Sequence, residues 1–147
     1  MNKVNTKYSS VIWPDQIYLS IVTIKKTIDF FLEKKSILCF PVYKKKTPYV
    51  YIVRDKSKNF KNIIQTRETN KKVKVGESDC GFFVFQSKII RRKLKFLIKK
   101  KLIITKKTKE IDFLKSFKFL SKLGRVDTIK ANSYKDTIGI NYLEDLI

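Results

Sequence analysis

The chain has 147 residues, 43% of them apolar, which suffices for one domain with a hydrophobic core and is too short for two ordinary ones. A net charge of +21 points to a polyanionic partner: nucleic acid, an acidic membrane surface or a phosphorylated small molecule. The absence of histidine excludes His-based acid–base catalysis, Ser-His-Asp and Cys-His nucleophiles, and His-containing zinc sites.

Taken in chain order, Ser9 to Trp13 reads as a short strand closed by Pro14-Asp15. Ser20 can cap a helix over Ile21–Lys34, in which Ile24, Ile28, Phe31 and Leu32 share one face. Ile37-Leu38-Cys39-Phe40 has the look of a central strand, followed by Pro41 and the polar Lys44-Lys45-Lys46. Tyr49–Arg54 and Phe60–Gln65 are two further strands joined by the hairpin chemistry of residues 55–59. The polar stretch Thr66–Val75 reads as a surface excursion, Gly76–Asp79 as a turn and Cys80–Phe85 as a strand. Lys88–Lys101 forms a basic helix with Ile90, Leu94, Leu97 and Ile98 inward, and Ile111–Leu123 a second amphipathic helix stopped by Gly124. Arg125–Lys130 is a strand, and Asn141–Ile147 begins a last helix. The order predicts a single α/β domain over 1–147, with a mixed sheet in a mainly three-layered arrangement.

Cys39 and Cys80 each sit in or beside an apolar strand and read as buried thiols, not as a disulfide or a metal pair. No apolar run approaches a membrane span and no signal-peptide core opens the chain, so a cytoplasmic location without membrane contact is expected.

Three short segments carry candidate chemistry. Asp15 follows an apolar strand, where a carboxylate can hold Mg²⁺ against substrate phosphates; it is equally a turn Asp after Pro14. Glu77 and Asp79 flank Ser78 before a strand and can bond sugar hydroxyls or simply build a turn. Asn141, after Gly139-Ile140, offers an amide oxygen to the same cation or a helix cap.

In their order these segments resemble the nucleoside-triphosphate transferases that activate sugar phosphates, a family that includes N-acetylglucosamine-1-phosphate uridylyltransferase and the molybdopterin-guanine-dinucleotide synthase type. Val11-Ile12-Trp13-Pro14-Asp15-Gln16 is similar to the family's strand ending in Gly-Asp-x-Pro, with Pro14 in place of the Gly and Ile17 in place of the Pro. Residues 47–55 resemble the strand carrying Gly-Arg-Ile-x-Arg-Asp. Residues 60–65 resemble the strand after it, with Gln65 where many members have a sugar-contacting Glu. Gly76–Phe83 is similar to Glu-x-Asn-x-Gly-hydrophobic, with Asp79 for the sugar-binding Asn, and Glu110–Leu114 resembles the segment opening the late helix. Thr137-Ile138-Gly139-Ile140-Asn141 resembles the Gly-Val-Asn signature.

The resemblance implies a Rossmann-like, three-layer nucleotide-diphospho-sugar transferase fold, of which this chain is the incomplete, C-terminal acceptor and metal part. It implies Mg²⁺ held by Asp15 and Asn141, and a sugar 1-phosphate met by Glu77, Asp79 and Gln65, with a nucleoside triphosphate as co-substrate. The family's Gly-rich nucleotide loop has no counterpart in this sequence. The expectation is therefore a fragment or split half, inactive alone, with a second chain supplying the nucleotide-binding half.

The alternative is a small basic nucleic-acid-binding protein: Lys88–Lys109 gathers eleven basic residues with interleaved apolar ones. Against it, only five of the 34 basic residues are Arg, and base recognition favours the guanidinium fork.

Overall fold

Apolar alternation, interrupted by polar turns, builds the strands. The computed structural model describes residues 5–69, 73–105 and 108–140, together with 143 and 146. Among these the chain runs β1 (Tyr8–Ile12), α1 (Ile21–Lys34), β2 (Leu38–Lys46), β3 (Val50–Arg54), β4 (Phe60–Gln65), β5 (Val75–Asp79), β6 (Phe82–Gln86), α2 (Ser87–Lys99), α3 (Phe117–Leu120) and β7 (Val126–Lys130). Short 3-10 turns cover Thr66–Glu68, Leu114–Ser116 and Tyr134–Thr137.

β2 is the spine of the main sheet. It pairs antiparallel with β6 at Leu38–Cys39 and with β5 from Val42 to Lys46, and parallel with β7 from Leu38 to Val42. β1 pairs antiparallel with β6, from Tyr8 opposite Gln86 to Ile12 opposite Phe82, and among the described residues has no second strand neighbour. β3 and β4 form a separate hairpin.

Alternation along β2 divides the core. Leu38, Phe40 and Val42 join one cluster with the hairpin, α2 and α3, where Phe40, Phe83, Phe113 and Phe117 meet at ring-centroid separations of 5.2–5.8 Å. Cys39 joins Phe31, Phe82 and Val84 under α1 on the other face. Each Phe buried this way contributes about 1.5–3 kcal/mol. The sheet is thus mixed and covered on both faces, the α/β architecture expected from the sequence.

α1 has the predicted bounds. The Ser20 side chain accepts from the Thr23 backbone N–H at 3.3 Å, and Lys35 closes the helix in the left-handed region, φ 53°. The two cysteines are buried free thiols, and burial pushes the Cys39 thiol up to about 12 and the Cys80 thiol higher still.

Four expectations need correction. Gly76–Asp79 is not a turn but most of strand β5, because β2 runs six residues beyond Phe40 and supplies it with a ladder. Pro41 does not end β2. Its carbonyl accepts from the Cys80 N–H at 3.2 Å, so its missing N–H faces the break between β5 and β6, where no ladder bond is required. The helix over Ile111–Leu123 shrinks to one 3-10 turn and α3: Ile111 bridges Ile104 as extended chain, and the Asp112 side chain accepts from the Lys115 N–H at 3.1 Å to start the turn. Ile98 is 40% exposed on α2, whereas Ile90 and Leu97 are buried. The final helix proposed over Asn141–Ile147 lies, apart from residues 143 and 146, outside the described residues. No helix among the described residues is long and apolar enough to cross a membrane.

Candidate functional site

A cleft of about 910 Å³ opens where β1 ends and β5 bends into β6. The turn Trp13-Pro14-Asp15-Gln16 forms one wall, tied to the bend by the Trp13 N–H, which donates to the Gly81 carbonyl at 2.8 Å. Gly81 has φ +65°, and a Cβ there would stand 2.4 Å from Gln16 Cγ and 2.9 Å from Trp13 Cδ1. Opposite, a Cβ on Gly139 would stand 2.6 Å from Asp15 Oδ2 and 2.7 Å from Gln16 Nε2. The Ile140 N–H donates to the Asp15 carbonyl at 2.9 Å. Two of the chain's four glycines therefore clamp one dipeptide, Asp15-Gln16.

The clamp is held from behind by Asp136, which is 1% exposed. Its carboxylate accepts from the Ser20 N–H at 2.6 Å, the Thr23 hydroxyl at 2.7 Å and the Ser133 N–H at 3.0 Å. Burial alone would raise its pKa, but the hydrogen bonds from Thr23, Ser20 and Ser133 outweigh it and hold the carboxyl below its ordinary value. This knot joins the start of α1 to residues 132–137 and so delivers Gly139 to Asp15.

Asp79, the last residue of β5, also lines the cleft, and its Oδ2 accepts from the Gly81 N–H at 3.1 Å. Burial raises its pKa. The Gly81 N–H and the charge of Lys45 oppose that rise, and Asp15 adds to it. Gln65 enters from the end of β4. The structure thus brings Asp15, Gln65 and Asp79 together from three strand ends.

Glu77 is placed elsewhere. Its Oε2 accepts from Arg54 Nε at 2.5 Å, while Arg54 Nη2 donates to the Thr128 hydroxyl at 2.8 Å, so the β3 ion pair takes it up. Glu77 is not part of the cleft lining. Asn141 lies outside the described residues.

Other lining residues were not foreseen from the sequence: Gln16, Lys45, Glu110 and Asp112. The glycine pair was the available signal, because in a chain with so few glycines each marks a place where backbone and side chain crowd together. Lys45, within a run of three lysines, carried no signal of its own.

Among the described residues no group of three or more Asp, Glu, His or Cys is placed to hold a metal ion, so there is no all-protein cage. Asp15 Oδ2 and Gln16 Nε2 both crowd Gly139, at 2.6 and 2.7 Å from where a Cβ would stand, while Gln16 Oε1 is a buried acceptor without a hydrogen-bond partner among the described residues. The single Asp15 carboxylate suits Mg²⁺, which commonly takes one or two carboxylates and completes its shell with water and substrate phosphate.

No family model and no curated protein sequence matches the chain. Among solved structures, it is similar to 4-diphosphocytidyl-2C-methyl-D-erythritol synthase from Anaerococcus prevotii, with a TM-score of 0.57 and 16% sequence identity. The match covers 95% of this chain and 55% of that one, so the chain spans about half the length of the structure it resembles. At this identity the likeness establishes architecture: the chain has a mixed α/β, Rossmann-like fold of the nucleotidyltransferase kind.

Proposed function

We propose that the cleft binds a phosphorylated sugar with Mg²⁺, as the acceptor side of a nucleotidyl-transfer reaction. The observation that carries this reading is the convergence of Asp15, Gln65 and Asp79, from three separate strand ends, into one cleft on a nucleotidyltransferase-like fold. In such a transfer a phosphate oxygen of the sugar phosphate attacks the α-phosphorus of a nucleoside triphosphate. The bond from that phosphorus to the bridging oxygen breaks, and pyrophosphate leaves. The protein positions the reactants and meets developing charge with fixed groups.

Within this reading Asp79 accepts hydrogen bonds from sugar hydroxyls, and the Gln65 amide both donates and accepts. Asp15 would hold Mg²⁺, with Asn141 as its second ligand by resemblance; when bound, the ion supplies charge neutralisation to phosphate oxygens. A triphosphate cradle needs backbone N–H groups of a Gly-rich loop, and this sequence carries none. The nucleotide side would therefore come from another polypeptide segment, and this chain alone binds acceptor without turnover.

Trp13, the chain's single tryptophan, lines the cleft and reports on it directly. Titrating a panel of sugar 1-phosphates in the presence of Mg²⁺ is expected to give a saturable change in Trp13 fluorescence for at least one member. That change should be lost in Asp79→Ala and weakened by chelation of Mg²⁺. A flat response across the whole panel would sink the reading.

A further inference from the structure

β2 carries three consecutive lysines, and the sheet treats them differently. Lys44 and Lys46 are exposed, whereas Lys45 is half-buried and lines the cleft. Strand register places Tyr43 opposite Ser78, so Lys45, two residues from Tyr43, shares a face with the buried hydroxyl of Ser78, which also lines the cleft. Among the described residues Lys45 makes no ion pair.

The charge balance of the lining is the opposite of that of the whole chain. The molecule carries +21, yet among the described residues the charged groups lining the cleft are Asp15, Asp79, Glu110 and Asp112 against Lys45. Among the described lining residues Lys45 is thus the one cation that a phosphate entering the cleft can meet directly. An ionised carboxylate only accepts hydrogen bonds, so a phosphate oxygen needs a donor from elsewhere in the lining. Lysine supplies up to three donors and a point charge on a flexible stem, which suits a terminal phosphate.

We infer that Lys45, with the Ser78 hydroxyl beside it, receives the phosphate group of the acceptor and sets the cleft's preference for phosphorylated over free sugars. This inference rests on the acceptor reading above and adds a specific orientation: phosphate toward β2, sugar hydroxyls toward Asp79 and Gln65.

The test compares Trp13 titrations of the sugar 1-phosphate panel with those of the corresponding free sugars, in the unaltered chain, Lys45→Met and Lys45→Arg, with melting curves as the check on folding. Lys45→Met is expected to weaken the phosphorylated ligand by about ten- to a hundredfold, the loss of one charge-assisted contact, and to change free-sugar binding far less, through its effect on Asp79 alone. Lys45→Arg restores part of the loss. Unchanged affinity for the sugar phosphate in a folded Lys45→Met protein overturns the role of Lys45 and leaves the acceptor reading standing. An equal loss for phosphorylated and free sugars likewise overturns it, as a structural effect. Absence of binding by every ligand in the unaltered chain overturns both.

Discussion

Asp79 shows how a single carboxylate can be kept at a cost to the fold. Burial raises its pKa, and the Gly81 N–H and Lys45 only partly compensate. A carboxyl whose folded pKa lies above its unfolded one stabilises the protein fully at low pH, and that contribution is lost as pH rises through the folded value. Above the unfolded value the buried carboxyl is therefore a burden on the fold. Asp79→Asn keeps an oxygen for the Gly81 N–H and removes the charge. The variant is expected to melt a few degrees higher at pH 7, with the gain vanishing toward pH 4, and to bind sugar phosphate more weakly. Melting curves at the two pH values check the first claim and Trp13 titration the second. Loss of stability at pH 7 would show that Asp79 serves the fold and not the cleft.

At the scale of elements, Asp136 works in the opposite direction. Its folded pKa lies below the ordinary value, so its contribution is present at neutral pH and is lost as pH falls through the folded value. Asp136→Asn removes the charge from three hydrogen bonds that join α1 to residues 132–137. We expect a cost of about 2–3 kcal/mol at pH 7, shrinking toward pH 3, measured by urea denaturation at both pH values. A constant cost across that range would assign the stabilisation to packing.

The same elements show what could be read in advance. α1 was legible because its cap and apolar spacing are local: Ser20 and the Ile24–Ile28–Phe31 face. β5 was not, because Glu77, Ser78 and Asp79 have no apolar alternation; they are strand only because β2 extends through Pro41 to Lys46 beside them. Ile111 looked helical by spacing and is extended through its bridge to Ile104, a contact that local pattern does not encode. Asp15 and Asp79 were legible as polar residues at strand ends. That they line one cleft follows from pairing β1 with β6 and β2 with β5, which is a property of the sheet and not of either segment.

For the whole molecule, the dominant feature is the border of β1 that has no strand neighbour among the described residues. Tyr8-Ser9-Ser10-Val11-Ile12 has neither charge nor proline, the two usual guards of an edge strand. Apolar side chains stand near it in solvent: Ile12 at 49%, Ile17 at 59% and Ile21 at 74% exposed. We expect reversible, concentration-dependent self-association detectable by light scattering, and we expect Ser10→Lys to suppress it. Scattering of a clean monomer at high concentration would show that this border is already guarded.

That border also ends at the chemistry. β1 passes directly from its open side into Trp13-Pro14-Asp15-Gln16, so a polypeptide pairing along Tyr8–Ile12 would stiffen the turn that carries Asp15. By thermodynamic reciprocity, any favourable coupling acts equally in both directions. A ligand in the cleft would then tighten the grip on the covering strand by the same factor as the strand tightens the grip on the ligand.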